Sequence, residues 1–255
     1  MKRSVFRLGF FFLCFFLSAC QSINRSREQL DIPPSVILFS FDDGPNAHGD
    51  TTARLLEVLK KYEIHAFFSL LGENIEQNPE LVRRIQNEGH YIINHGYSDK
   101  WAIIMNNNEF RDNLARGEAA ITATFGHDLH PKLYRPHGGF YKFNQKMILQ
   151  DAGYTLIANN IRSYDAVFNR TKQAQVINRI VKKAVKQNGG IILLHDSRDS
   201  YFHMEKKLSK KPHGVFDRSW IPEAVEIIII ILQNKGFILN SPIVFPVPDV
   251  ITKKP

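Results

Sequence analysis

Short apolar runs alternate with amphipathic stretches from Ser35 almost to the C-terminus. Val36-Ile37-Leu38-Phe39-Ser40-Phe41 has no continuous polar face, which predicts a strand buried on both sides. Thr52–Tyr62 follows with Leu55, Leu56, Val58 and Leu59 at helical spacing. The alternation repeats with a strand over Ala66–Leu71, a helix over Pro79–Glu88 that Gly89 stops, and a strand over Tyr91–Ile93. A helix over Asn107–Thr124, a short strand at Leu133-Tyr134, a helix over Asn144–Ala152 and a strand over Tyr154–Ala158 come next. A helix over Lys172–Gln187, a strand over Gly190–Leu194, a helix between Pro222 and Gly236 and a last strand over Phe237–Leu239 complete the series. The run Ile227–Ile231 has β propensity, but the Pro222 start and the Gly236 stop predict a buried helix. Such strand–helix units imply an α/β fold with a parallel sheet covered by helices, and the pattern alone admits either a barrel or an open doubly wound sheet. The segment Ser197–Ser219, charged and carrying His203 and His213, has no periodicity and reads as a variable surface loop or a lid.

Before this body the pattern changes. Lys2, Arg3 and Arg7 precede an apolar stretch from Leu8 to Leu17 that ends in Leu17-Ser18-Ala19-Cys20. The stretch is too short to span a bilayer and suits a signal-peptide core, and the small residues before Cys20 resemble a bacterial lipobox. Residues 1–19 therefore read as a lipoprotein signal peptide and Cys20 as the lipidated first residue of an exported, envelope-anchored chain on the periplasmic face of a membrane. Residues 20–34 read as a tether, 35–245 as one folded domain and 246–255 as a tail. Cys14 leaves with the leader and Cys20 would be acylated, so the domain keeps no thiol for a disulfide. The formal charge is +8, and since three of those positive charges lie in the leader the mature chain carries +5. No basic stripe interleaved with aromatics accompanies that charge, which argues against nucleic acid as a partner.

Polar residues collect where the predicted strands end, the place where parallel α/β folds build their sites. The first strand ends in Asp42-Asp43-Gly44-Pro45, the third in His95 with Asp99 four residues on, Leu133-Tyr134 in Arg135-Pro136-His137-Gly138-Gly139, and Ile191–Leu194 in His195-Asp196. Two adjacent carboxylates beside a buried strand repel unless a proton or a cation shares the site. Each motif alone could be a turn or a hydrogen-bonded strand end. Their joint occurrence at successive strand ends points to chemistry.

In these segments the chain resembles the polysaccharide deacetylase family, carbohydrate esterase family 4 or the NodB-homology domain. Ser40-Phe41-Asp42-Asp43-Gly44-Pro45, Asn94-His95, Arg135-Pro136 with Gly139, and Leu193-Leu194-His195-Asp196 carry the likeness, which runs from Val36 to about Leu239. The resemblance implies a distorted barrel of the (β/α)7 type and a metal-assisted removal of N-acetyl groups from peptidoglycan or another N-acetylglucosamine polymer. It implies Asp43 and His95 as ligands of a divalent metal, zinc first, with manganese, cobalt or iron as alternatives. It implies Asp42 as general base, Arg135 as its bidentate orienter, His195 as general acid, and Asp165 as the acid that steadies Arg135. Pro136 and Gly138 would contribute to substrate binding and Leu193 would line the pocket for the acetyl methyl group.

Two departures stand out. The second histidine of the family's His-Ser/Thr-x-x-His motif is replaced by Asp99, which becomes the expected third ligand, and Gly96 replaces the hydroxyl residue. An Asp–His–Asp set is harder and more anionic than Asp–His–His and would accept manganese or iron as well as zinc. His48, His90 and His137 are alternatives that the sequence does not rank. The family's Asp-x-x-Asp-Trp motif appears as Arg162-Ser163-Tyr164-Asp165-Ala166, and His137-Gly138 replaces its usual Pro-Tyr. These changes imply an altered pocket, or a degenerate lipoprotein that binds a glycan or a partner without turning it over.

Overall fold

A computed structural model describes residues 20–22, 30, 32–46, 49–197 and 217–240. The leader, His48 and the section 198–216 with His203 and His213 lie outside the described residues.

The first strand of the main body, β2 (Ile37–Gly44), is buried at every position. It pairs in parallel with β3 (Ala66–Leu70) on one side and β9 (Gly190–His195) on the other. β4 (Tyr91–Asn94), β5 (Leu133–Tyr134) and β7 (Thr155–Leu156) extend the sheet beyond β3, and β8 (Ile161–Arg162) flanks β9. All of these pairings are parallel, and the order β7-β5-β4-β3-β2-β9-β8 leaves β7 and β8 at opposite edges. The result is the incomplete (β/α) barrel that the resemblance implies.

Helices α1 (Thr51–Lys61), α2 (Gly72–Gln77), α3 (Pro79–Asn87), α4 (Asn107–Phe125), α5 (Phe143–Asp151), α6 (Gln173–Gln187) and α7 (Ile221–Asn234) cover the sheet. The isoleucine run lies in α7, with Ile228 and Ile229 fully buried against the sheet. Helix context set by Pro222 and Gly236 thus overrides local β propensity. The expected last strand over Phe237–Leu239 is instead a single bridge between Val36 and Ile238. A short antiparallel pair, β1 (Cys20–Ser22) with β6 (Phe140–Lys142), and helix α2 have no counterpart in the periodic pattern. Leu30 and Ile32, within the segment read as a tether, are buried with Val36 and Leu38.

Strand alternation divides the core in two. Phe39 and Phe41 pack outward with Phe68 against Leu55, Leu56, Val225 and Ile229 of the helices. Leu38 packs inward with Phe67, Ile93, Leu133, Ile157 and Ile191. Ser40 and Asp42 share the inward face of Leu38 because side chains alternate along a strand. The polar residues at the C-terminal strand ends therefore sit above an apolar plug.

Candidate metal and acid–base site

Two consecutive residues of a regular strand point to opposite faces, yet both carboxylates of Asp42-Asp43 serve one site. The backbone explains this: Asp43 has φ 70°, and the register of β2 against β3 slips between Asp42 and Gly44. Such a bulge re-aims a side chain at the cost of a strained non-glycine conformation, the kind of strain that collects at functional sites.

Asp43 Oδ1 lies 3.4 Å from Nε2 of His95 and 3.4 Å from Nδ1 of His137. The ligand atoms of these three residues all fall within 4.8 Å of one another, a spacing suited to a metal ion. His95 points Nε2 inward because its Nδ1 lies 2.7 Å from the carbonyl oxygen of Arg135. A Nδ1–H donated there fixes the tautomer and frees Nε2 as a ligand. His137 Nδ1 is buried and has no hydrogen-bond partner. Burial pushes the Asp43 carboxyl up, but His137 and His95 outweigh it and hold the group well below the usual range. An orphaned imidazole nitrogen beside an ionised carboxylate and an aligned second imidazole fits a divalent cation.

The third member of the group differs from the expected one: Asp99 is buried but lies outside the cluster, and His137 stands in it with Asp43 and His95. The loop after His95 is drawn onto α4: Asn113 Oδ1 accepts from the Tyr97 N–H at 2.8 Å and Asn113 Nδ2 donates to Ser98 Oγ at 3.1 Å. A side chain at Gly96 (φ 91°) would run into Asn113, so the loop close to α4 requires glycine there. His90 stands at the opposite end of β4 from His95, and its Nδ1 accepts from the Ala66 N–H at 3.2 Å. Burial, with His65 nearby, lowers it to about 4, so it is a buried neutral histidine.

Arg135, almost fully buried, holds Asp42 through a single nitrogen. Its Nη1 donates to Asp42 Oδ1, to Ser40 Oγ and to Ser69 Oγ, while Nε donates to the Ile157 carbonyl at 3.0 Å. The expected bidentate fork is therefore not formed, because the second branch of the guanidinium has no partner. Asp42 Oδ2 remains turned toward the metal group, 3.8 Å from His95 Nε2.

Across the mouth, His195 Nδ1 lies 2.9 Å from Asp165 Oδ1, and the His195 N–H donates to Asp165 Oδ2 at 2.9 Å. Burial alone would lower the imidazole, but Asp165 and then Asp43 and Asp42 push it up to about 9. Asp165 does not touch Arg135, contrary to expectation. It is braced by Ser163 Oγ and by Arg218, whose Nη1 lies 3.6 Å from Asp165 Oδ2 and donates to the Asp165 carbonyl at 2.8 Å. Arg218 gave no signal in the sequence, because it lies at the end of the aperiodic segment. Beside it, Asp196 is fully buried and accepts from Thr52 Oγ1 at 2.6 Å, and burial raises its carboxyl to about 7. Leu193 is partly exposed on the strand face of His195, Pro136 is buried and Gly138 is exposed with φ 78°.

Comparison with known proteins identifies the family and the fold. A family model described as Polysaccharide deacetylase matches residues 30–157. A peptidoglycan-N-acetylglucosamine deacetylase of Bacillus cereus is 30% identical over 161 residues, covering 63% of this chain and 56% of its own length. The chain thus spans little more than half of that relative. The Bc1960 peptidoglycan N-acetylglucosamine deacetylase, solved with 4-naphthalen-1-yl-N-oxidanyl-benzamide, superposes with TM-score 0.64 at 27% identity, covering 80% of this chain and 84% of that one. A family 4 acetyl xylan esterase from Clostridium thermocellum, solved with a cobalt ion, gives TM-score 0.62 at 27% identity over 79% of this chain and 85% of its own.

Proposed function

Because the chain belongs to the polysaccharide deacetylase family, we propose that it is a metal-dependent hydrolase removing N-acetyl groups from an envelope polysaccharide, peptidoglycan or another N-acetylglucosamine polymer. The observation that carries this reading is the convergence of Asp43, His95 and His137 beside an arginine-held Asp42. Two imidazoles and a carboxylate suit zinc, and also manganese, cobalt or iron. Bound there, the cation would polarise the acetamide carbonyl and acidify the attacking water.

The chain's own residues supply the proton traffic. Asp42 takes the water's proton on Oδ2, since Oδ1 is engaged by Arg135. His195, held at Nδ1 by Asp165, delivers a proton from Nε2 to the departing sugar amine. The charged imidazole that this step needs is the form that the Asp165 contact favours. The loop of Pro136 and Gly138 borders the carbonyl, and Leu193 offers an apolar wall to the acetyl methyl. Acetate and a free amino sugar leave.

A lipid on Cys20, after removal of the leader, would hold this chemistry at a membrane surface; among the described residues no helix is long and apolar enough to cross a bilayer. Acetate release from N-acetylglucosamine oligomers and from peptidoglycan, measured with zinc present and after chelation, tests the proposal. Metal-loaded protein that frees no acetate from either substrate would refute the hydrolase reading, and turnover that survives complete chelation would refute the metal.

A further inference from the structure

Among the described residues the exposed tryptophan and phenylalanines are Trp101, Phe140 and Phe143, and all three lie on segments that adjoin the loop of His137. Two glycines separate His137 from β6, and β6 runs directly into α5. The helical turn Ala102–Ile104 is bonded to the same stretch. Gln145 Nε2 donates to the Ala102 carbonyl at 2.7 Å, and Lys142 Nζ donates to the Met105 carbonyl at 2.8 Å. The Trp101 ring lies against the His137 loop, 2.8 Å from the point where Gly138 would bear a Cβ. Ala102, Met105, Tyr141 and Ile148 of these segments are buried together. Trp101 and Phe143, 53% and 61% exposed, and Ile104, Phe140 and Met147 are left on the outside. Phe143 and Met147 are one turn apart on a single face of α5.

Exposed Trp, Phe and Met accompanied by lysines is the composition that the surface of a bilayer accepts. Lys142 and Lys146 have no carboxylate within 4 Å among the described residues, whereas Lys100 is paired with Glu109 at 3.2 Å. A neutral glycan would leave those two charges unanswered, and lipid phosphates would not. The backbone supplies an independent pointer. β1 sets Cys20 opposite Lys142 and Ser22 opposite Phe140. The chain is thus paired to this face from residue 20 onward, and a lipid carried on Cys20 would enter a bilayer next to it.

We propose that this face docks on an anionic bilayer, with Trp101, Phe143 and Met147 in the headgroup layer and Lys146 on the lipid phosphates, and that docking turns the loop of His137 toward the membrane. The proposal rests on the lipid-anchored reading of Cys20.

Tryptophan emission reads the docking. The chain holds two tryptophans and Trp220 is fully buried, so a change on membrane contact reports Trp101. The full chain, exported and processed in a bacterium, is placed on vesicles of phosphatidylethanolamine and phosphatidylglycerol, either plain or with brominated acyl chains. Wild-type emission should shift to the blue and be quenched by the brominated vesicles, and Trp101→Phe should lose both effects. Phe143→Ser combined with Met147→Ser should lower the docked-to-free ratio at least about ten-fold, as two apolar side chains leave the interface. Both sites are exposed, so that variant should keep the wild-type urea midpoint. Lys146→Gln should lower the ratio about five-fold on these vesicles and leave it unchanged on phosphatidylcholine. Equal emission on plain and brominated vesicles, or quenching undiminished in the double variant, overturns the docking face. An emission shift with N-acetylglucosamine tetramer and none with vesicles also overturns it, and gives the face to the glycan. The mass of the N-terminal peptide is read in parallel. An unacylated Cys20 with quenching intact supports the face and removes the anchor alone, and an acylated Cys20 without quenching removes the face alone.

Discussion

His137 Nδ1 stands 3.4 Å from Asp43 Oδ1, buried and without a hydrogen-bond partner of its own. The two glycines that follow it, at φ 78° and φ 80°, adopt left-handed turns that a side chain would strain. They bend the loop after β5 so that His137, and not Asp99, stands with Asp43 and His95.

Metal affinity should therefore follow His137 and not Asp99. Zinc titration followed by calorimetry should show His137→Ala weakening binding by more than about ten-fold, because a direct ligand is lost on top of the ten- to hundred-fold that supporting contacts alone are worth. Asp99→Ala should stay within about three-fold of wild type. A large loss with Asp99→Ala and none with His137→Ala would return the third position to the loop after β4.

The contact between His195 and Asp165 sets a proton affinity that NMR can read. In metal-free protein His195 should titrate near 9, and Asp165→Asn should bring it down toward the ordinary histidine range. The sign for stability follows from the raised value. The pair stabilises the fold fully below about pH 6.5 and loses that contribution as pH rises through about 9. An imidazole titrating at the same pH in both proteins would show that Asp165 does not tune it.

The strands that build the barrel were legible because β2, β3 and β9 are buried on both faces and read as unbroken apolar runs. β8, two residues long, is too short to show a period. The positions of Asp42, Asp43, His95, Arg135 and His195 at strand ends followed from the same pattern. Their pairings did not. Asp165 was matched to Arg135, whereas its cationic partner is Arg218, and nothing local in a sequence records which distant arginine meets a buried carboxylate. His137, His48 and His90 looked equivalent until the turn at Gly138-Gly139 aimed the first, and the start of β4 buried the last at the wrong end of the strand.

Arg135 and Asp42 are a buried ion pair, with side chains 1% and 6% exposed. Removing one partner of such a pair leaves an uncompensated charge, so Arg135→Ala should cost about 3–5 kcal/mol in urea unfolding as well as activity. Adding Asp42→Asn to that variant should recover part of the stability and none of the turnover. Stability that falls further in the double variant would mean that Arg135 acts mainly by packing.

Asp196 makes a prediction of the same sign as that of His195, in a lower pH window. Its carboxyl is fully buried, accepts from Thr52 Oγ1 at 2.6 Å through Oδ2, and leaves Oδ1 with no hydrogen-bond partner. Burial is the leading cause that raises it to about 7. A carboxyl that binds its proton more tightly in the folded state stabilises fully below the ordinary range near 4, and that contribution falls as pH climbs toward 7. Asp196→Asn keeps an acceptor for Thr52 and removes the titration. Between pH 5 and pH 7 the variant should therefore gain on the parent by up to about 1.4 kcal/mol per pH unit, read from urea midpoints. Parallel pH profiles for parent and variant would mean that Asp196 is already ionised at pH 5, with an acceptable charge in that pocket.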